Sequence, residues 1–200
     1  AKTYALTVTA NDSGDYTGSV TKEWMIAPYV VALRLSQNTF TYYPDTVRTV
    51  SVIIDGIHGM DDVAAIYGGV TSAIVPGSYT VNVSGLSGAD SGNYALPSVR
   101  DIMWSITPAN LEVTESSYIG VYDGDPHSPV ISAEHIGEGT GSTHHIDIYY
   151  STEPLDISNY STRGSLTPIS ETDVCDITVY YYIVTDHTNP ASGSVRINIT

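Results

Sequence analysis

The sequence predicts an all-β protein built from tandem repeats. Strand-forming residues dominate its 200 residues, which include 16 tyrosines beside many valines, isoleucines and threonines. A pattern typical of a β-hairpin recurs three times along the chain. The length suits two β-sandwich domains of about 100 residues each. We therefore expect tandem β-sandwiches rather than one large domain.

Each recurring segment has two strands of alternating hydrophobicity around a turn rich in Gly, Asn and Asp. In the first segment the alternation places Tyr4, Leu6 and Val8 on one face of a strand. The segments span residues 4–28, 79–108 and 177–199. The second strand of each carries one large apolar residue, which is Trp24, Trp104 or Ile197. We predict that these three residues occupy equivalent, core-facing positions.

A second pattern precedes two of the three hairpins. Phe40-Thr-Tyr-Tyr-Pro44 and Tyr118-Ile-Gly-Val-Tyr122 both come shortly before a short apolar run. The same order of motifs thus occurs twice and predicts two complete β-sandwich repeats, at 29–108 and 109–200. In the first repeat the pattern leaves open whether residues 61–66 form one helical turn.

Residues 1–28 are predicted to be the closing hairpin of a preceding repeat, since the chain opens in the middle of a strand. Pro28 and Pro108 mark the boundaries, because proline cannot continue strand pairing. An isolated two-stranded hairpin is marginal in water. We therefore expect residues 1–28 to pack their Trp24 face on the 29–107 domain, or to associate with a second copy of the chain. The short Pro28 junction favours the first arrangement.

These motifs resemble the MBG/YDG type of repeat, which occurs in tandem in large secreted and cell-surface proteins of bacteria. The resemblance is carried by Tyr122-Asp-Gly-Asp-Pro-His127, Ile148-Tyr-Tyr-Ser-Thr152, Asn189-Pro-Ala-Ser-Gly-Ser-Val195 and Trp104-Ser-Ile-Thr-Pro108. It implies immunoglobulin-like β-sandwich domains, a location outside the cell or on its surface, and no catalytic activity. The sequence departs from the pattern at Cys175, where the family has glycine, and residues 29–75 lack the Asp-Gly turn.

Net charge disfavours two classes of partner, and the cysteine content excludes an internal disulfide. The formal net charge is −15, which disfavours nucleic acid and anionic membrane surfaces. No apolar stretch approaches the roughly 18 residues of a membrane span. The single cysteine, Cys175, permits no internal disulfide, and we predict that it is buried and slow to react.

Catalytic and cofactor motifs do not explain this sequence. It has no Gly-x-Ser-x-Gly elbow, and no helix follows the glycine-rich stretch 137–141, which we interpret as a flexible loop. Potential metal ligands cluster in the last repeat, at Asp123, Asp125, His127, Glu134, His135, His144 and His145. An Asp-Gly turn already accounts for Asp123, and adjacent strand residues such as His144 and His145 point to opposite faces. We predict no enzyme activity, no cofactor and no metal site.

Tyrosines form the one candidate ligand-binding surface. Alternation along residues 179–184 places Val179, Tyr181 and Ile183 on one side of a strand, with Tyr180 and Tyr182 on the other. Tyr149, on another predicted strand, joins the second side. Exposed aromatic rings stack on sugars or bind protein partners, whereas cross-strand aromatic pairs stabilise a sheet.

Two functions are consistent with these observations. The first is a structural stalk or spacer of a bacterial cell-surface or secreted protein, whose partners are its neighbouring repeats. The alternative is an adhesin-type module that recognises a glycan or a host surface protein through the face of Tyr149, Tyr180 and Tyr182. A large exposed aromatic patch would favour the second function.

Overall fold

A computed structural model describes residues 2–10, 14–15, 17–136 and 144–200 of the chain. In these ranges strands predominate, beside one α-helical turn at Tyr160–Arg163 and one 3-10 turn at Ser91–Asn93. The all-β prediction is confirmed. The predicted loop 137–141 and most of the first hairpin's turn lie outside the described residues.

The strands follow one another along the chain without a long helix between them. In chain order they are β1 (Lys2–Thr9), β2 (Ser19–Ile26), β3 (Tyr29–Val30), β4 (Ala32–Leu35), β5 (Thr39–Thr41), β6 (Arg48–Thr49), β7 (Val52–Asp55), β8 (Ala64–Gly69), β9 (Ser72–Ala73), β10 (Gly77–Ser87), β11 (Tyr94–Ala95), β12 (Asp101–Thr107), β13 (Leu111–Ser116), β14 (Tyr118–Gly120), β15 (Val130–His135), β16 (Ile146–Ser151), β17 (Cys175–Thr185) and β18 (Ala191–Ile199).

One two-stranded and one four-stranded sheet occur in each of two sets of strands, and the short pairs β3-β11 and β6-β9 are additional to them. One set contains a two-stranded sheet, β4-β7, and a four-stranded sheet in the order β5-β12-β10-β8. The other contains β13-β15 and the order β14-β18-β17-β16. We term the two-stranded sheet of each set its opening sheet and the four-stranded one its closing sheet. The first hairpin, β1-β2, forms a separate two-stranded sheet.

The closing sheets share their hydrogen bonds as well as their strand order. In both, a short strand runs parallel to the last strand, β5 beside β12 and β14 beside β18. The amide of Tyr42 donates to the carbonyl oxygen of Thr107 at 2.8 Å, and the amide of Tyr122 donates to that of Thr200 at 2.9 Å. The second pattern recognised in the sequence therefore corresponds to a repeated backbone pairing.

The chain divides into two compact units that differ from the predicted ranges. The first comprises residues 1–38, 49–73 and 78–104, and the second comprises 39–48, 74–77 and 105–200. The division nearest to Pro108 thus falls between Trp104 and Ser105. Each unit is therefore made of several separate lengths of chain. Boundaries between units also fall inside strands, for example within β10 and within β12.

Trp104 anchors the core of the first unit. Its side chain is only 2% exposed, and the indole Nε1 donates to the carbonyl oxygen of Val70 at 2.8 Å. The ring of Tyr79 lies 4.8 Å from it between centroids. Val81 and Val83 are fully buried on β10, which neighbours β12 in the sheet. The predicted core position of Trp104 is confirmed.

The core of the second unit lies on one face of β17 and β18. Val179, Val195, Ile197 and Ile199 form a buried cluster there, and Ile131 of the opening sheet packs against it. The predicted core position of Ile197 is therefore confirmed.

Tyr181 joins the two sheets of the second unit. Its hydroxyl donates to Glu115 of β13 at 2.6 Å. Gly193 lies opposite Tyr181, where a Cβ atom would collide with the tyrosine ring. Burial and the contact with Glu115 raise the pKa of Tyr181, so this phenol stays protonated and keeps donating.

Residues 61–66 do not form a helical turn. The segment is irregular up to Val63 and then enters β8. Its backbone is held instead by distant side chains, since the amide of Asp62 donates to Asp90 at 2.9 Å. Asp61 accepts from the hydroxyl of Tyr94 at 2.6 Å. These bonds replace those within a helix, which explains why local pattern was a poor guide here.

Two predictions about single side chains are wrong. Cys175 is half-buried rather than buried, because it begins β17 at the end of the sheet and packs only at the margin of the core cluster. Trp24 is 51% exposed. Every residue of β1 and β2 is exposed, so the hairpin does not bury its Trp24 face on the 29–107 range.

The two tryptophans should therefore respond differently to truncation. Trp104→Ala should lower the free energy of unfolding by about 3–5 kcal/mol, because it leaves a cavity in the core. Trp24→Ala should cost less than about 1 kcal/mol, as expected of an exposed residue. Urea denaturation of both variants measures the difference, and equal losses would contradict the assignment of Trp104 to the core.

Candidate functional site

The three candidate tyrosines lie on the outer face of the second closing sheet. Tyr180 and Tyr182 alternate along β17 with the buried Val179, Tyr181 and Ile183, as the sequence predicted.

Tyr149 on β16 lies directly opposite Tyr182. Tyr180 lies opposite Ser151 on one neighbouring strand and Ser194 on the other. The sheet therefore brings the three rings to one face, as expected from their alternation.

This face is covered by a residue that the sequence analysis did not single out. Tyr160, on the helical turn between β16 and β17, stacks on Tyr182 with 5.0 Å between ring centroids and an interplanar angle of 16°. It also meets Tyr149 edge-on at 5.0 Å. Tyr182 is consequently 6% exposed. Of the two alternatives that the sequence left open, an exposed aromatic row and a cross-strand aromatic pair, the pair fits its position opposite Tyr149.

Local hydrogen bonds hold Tyr160 in place. The amide of Tyr160 donates to the carbonyl oxygen of Asp156 at 3.0 Å, and Asn159 accepts from the amide of Asp156 at 2.8 Å. Ser158 donates twice to the Asp156 carboxylate, which lowers the pKa of that carboxyl. Burial, with Tyr160 and Asp156 nearby, raises the pKa of Tyr182. The aromatic cluster of Tyr149, Tyr160 and Tyr182 is thus a packed and ordered part of the fold.

The turn at Asp123-Gly124 is organised around His127. Its ring stacks on Tyr118 at 4.0 Å between centroids, and its Nε2 lies 2.9 Å from the Asp123 carboxylate. Asp123 also accepts from the amide of Asp125 at 2.9 Å. The backbone of His127 pairs with Glu171 in both directions. Asp123 and His127 therefore close a loop.

The remaining candidate metal ligands are divided among other contacts. His144 lies 3.0 Å from the Tyr42 hydroxyl through Nε2, and its ring is 5.5 Å from that of His135. His145 contacts Asp147 at 3.0 Å. Glu134 points to the face of β15 opposite the buried His135. In the ranges that the structure describes, no group of three or more such side chains is arranged to hold a metal ion.

The first hairpin presents an apolar surface. Its residues on one face are Tyr4, Leu6, Val8, Val20, Trp24 and Ile26, all more than a third exposed. Tyr4 and Trp24 stack at 5.6 Å between ring centroids. The sequence predicted the apolar face, and the structure shows that it is uncovered.

Comparison with known proteins leaves the chain without a family assignment. No protein-family model matches the sequence, and no curated protein matches it. Within the described residues, no helix is long and apolar enough to cross a membrane.

Removing the Tyr160 ring should show that the aromatic cluster stabilises the fold. Tyr160→Ala should lower the free energy of unfolding by about 1–3 kcal/mol, because two aromatic contacts are lost at about 0.5–1.5 kcal/mol each. Tyr160→Phe keeps both contacts and should be close to neutral. Chemical denaturation measures both variants, and a neutral Tyr160→Ala would remove the stabilising role.

The carboxyl of Asp123 should titrate below its ordinary value of 3.8, because it accepts from the Asp125 amide and lies beside His127. A lowered folded-state pKa means that its stabilising effect is present above the ordinary value and is lost as the pH falls through the folded-state pKa. Carboxyl-detected NMR measures the midpoint. His127→Phe should raise it, and an unchanged midpoint would contradict the pairing.

Proposed function

We propose that this chain is a structural spacer of a bacterial cell-surface or secreted protein, without catalytic activity. Its two sets of sheets are then tandem immunoglobulin-like β-sandwiches of the MBG/YDG kind, and its partners are neighbouring repeats. The observation that carries the proposal is the parallel pairing of an early strand with the last strand, which occurs in both sets.

Parallel pairing at this place gives mechanical resistance. A pull on the two ends of a repeat draws β14 toward the N-terminal side and β18 toward the C-terminal side. Because the two strands run in the same direction, the pull loads their hydrogen bonds together, in shear. An antiparallel hairpin pulled at its open end loses its bonds one after another. The parallel arrangement therefore suits a spacer that is under tension.

The bonds that would carry the load are the same in both sets. Beside the amide bonds from Tyr42 and Tyr122, the hydroxyl of Thr107 donates to the carbonyl oxygen of Phe40 at 3.1 Å. The hydroxyl of Thr200 donates to that of Gly120 at 3.3 Å. Repetition of a side-chain bond at corresponding positions supports a common role for this strand pair.

The alternative adhesin function draws less support from the structure. Its proposed surface needed an exposed aromatic row, whereas Tyr160 covers Tyr182 and leaves Tyr149 and Tyr180 half-buried. Saturable binding of a glycan, abolished by Tyr180→Ala, would favour that alternative over a spacer.

Single-molecule stretching of the full chain tests the spacer. Two unfolding peaks are expected, each releasing about 25–30 nm, since extended chain spans roughly 3.5 Å per residue. Tyr122→Pro removes the amide that donates to Thr200 and should lower the force of one peak. Tyr122→Ala is the matched control, because it keeps that amide and removes a side chain that is exposed.

Two outcomes would contradict the proposal. One is extension of the wild-type chain without a force peak, which would show that the repeats carry no load. The other is an equal effect of Tyr122→Pro and Tyr122→Ala, which would show that the strand pair is not the element under shear.

A further inference from the structure

The hairpin β1-β2 has one apolar and one polar face. Antiparallel pairing sets Tyr4 opposite Trp24, Leu6 opposite Lys22 and Val8 opposite Val20, and directly opposed residues share a face. We term this the Trp24 face. The other face carries threonines, and the hydroxyls of Thr7 and Thr21 lie 2.8 Å apart on it. Such a division between faces is typical of a hairpin with one side buried.

The hairpin β17-β18 has the same register and shows what the Trp24 face lacks. The pair Tyr4–Trp24 corresponds to Ile177–Ile197. The correspondence holds for every pair of the first hairpin. At one end Lys2–Ile26 matches Cys175–Ile199, and at the other Thr9–Ser19 matches Tyr182–Ser192. Leu6 is 57% exposed, whereas its counterpart Val179 is completely buried. Equivalent side chains are therefore covered in one hairpin and bare in the other.

Residues of an opening sheet cover β17-β18. Ile131 of β15 packs against the buried cluster, and Glu115 of β13 reaches across to Tyr181, the counterpart of Val8. The opening sheet β13-β15 thus supplies an apolar side chain together with one inward carboxylate. The closing sheet also has β14 on the outer edge of β18, whereas no third strand pairs with β2 in the part of the chain that the structure describes.

Charge determines which occupant suits the Trp24 face. Both lysines of the chain, Lys2 and Lys22, lie on this face, although the chain as a whole has a net charge of −15. Lys22 takes the position of the buried Val195. Two copies packed face to face would bring Lys22 near Lys22. An occupant with an inward carboxylate would neutralise it, as buried charges require.

The Trp24 face is too small to hold a partner that is not attached to the same chain. An eight-residue, two-stranded face measures about 26 Å by 10 Å, or roughly 260 Å². Stable interfaces bury about 800 Å² on each partner. A tethered occupant needs far less, because attachment to the same chain supplies an effective concentration in the millimolar range.

We propose that the Trp24 face is the docking surface for the opening sheet of one more repeat, carried on the N-terminal side of Lys2 in the same polypeptide. The occupant is a two-stranded apolar sheet with an inward carboxylate against Lys22, followed by a short strand that pairs in parallel with β2. This inference rests on the proposed tandem-repeat function and extends it, because it identifies residues 2–26 as half of a further repeat.

The test supplies an opening sheet to the full chain. Residues 109–136, which contain β13, β14 and β15, are fused before Lys2 through a flexible Gly/Ser linker. Hydrogen exchange of the β1 and β2 amides should slow by about tenfold or more when the face is covered. In a Trp104→Phe background the emission of Trp24, the only remaining tryptophan, should shift to shorter wavelength.

Substitutions on the two faces make the test specific. Leu6→Glu should abolish both effects, whereas Ala5→Glu, which places the same charge on the opposite face, should preserve them. Lys22→Glu should weaken docking, and Glu115→Lys in the fused segment should restore it. Unchanged exchange and emission on fusion would overturn the proposal, as would equal effects of Leu6→Glu and Ala5→Glu.

The oligomeric state of the unextended chain provides an independent check. Light scattering should report a monomer. A stable dimer that dissociates on Leu6→Glu would assign the Trp24 face to a second copy and overturn the proposal. Failure here is distinguishable from failure of the spacer function, because the force peaks of the two complete sets arise from residues outside β1 and β2.

Discussion

Burial of one face of a closing hairpin is the interaction on which each set of sheets depends. In the second set Val179, Ile183 and Ile197 are completely buried, and burial of each such side chain contributes about 1.5–3 kcal/mol. A four-stranded sheet cannot bury its own face, so the opening sheet supplies the cover. The bare Trp24 face shows the same hairpin without that cover.

The parallel edge strand completes the four-stranded sheet of each set. The same backbone bond joins Tyr42 to Thr107 and Tyr122 to Thr200, but the two tyrosine side chains have different surroundings. Tyr42 is buried and lies among His144 and His187, whereas Tyr122 is exposed. The backbone pairing is the common element, and the side chains at this position adapt to each set.

Much of the architecture could be predicted from local pattern. Alternation placed Val179, Tyr181 and Ile183 on the inner face and Tyr182 on the outer one, and the structure agrees. The burial of Tyr182 could not be predicted, because its cover comes from Tyr160, which lies on a connection without strand periodicity. The irregular course of residues 61–66 likewise depends on Asp90 and Tyr94, which are distant in sequence.

The sequence by itself determined the all-β class, the hairpins and which face of each strand is apolar, because strand periodicity and turn residues are local properties. Only the tertiary structure decided which apolar faces are covered. Trp24, Trp104 and Ile197 hold equivalent places in the recurring sequence pattern, yet Trp24 is exposed and the other two are buried. Cover depends on whether a second sheet lies against the hairpin, and that is set by contacts between distant parts of the chain.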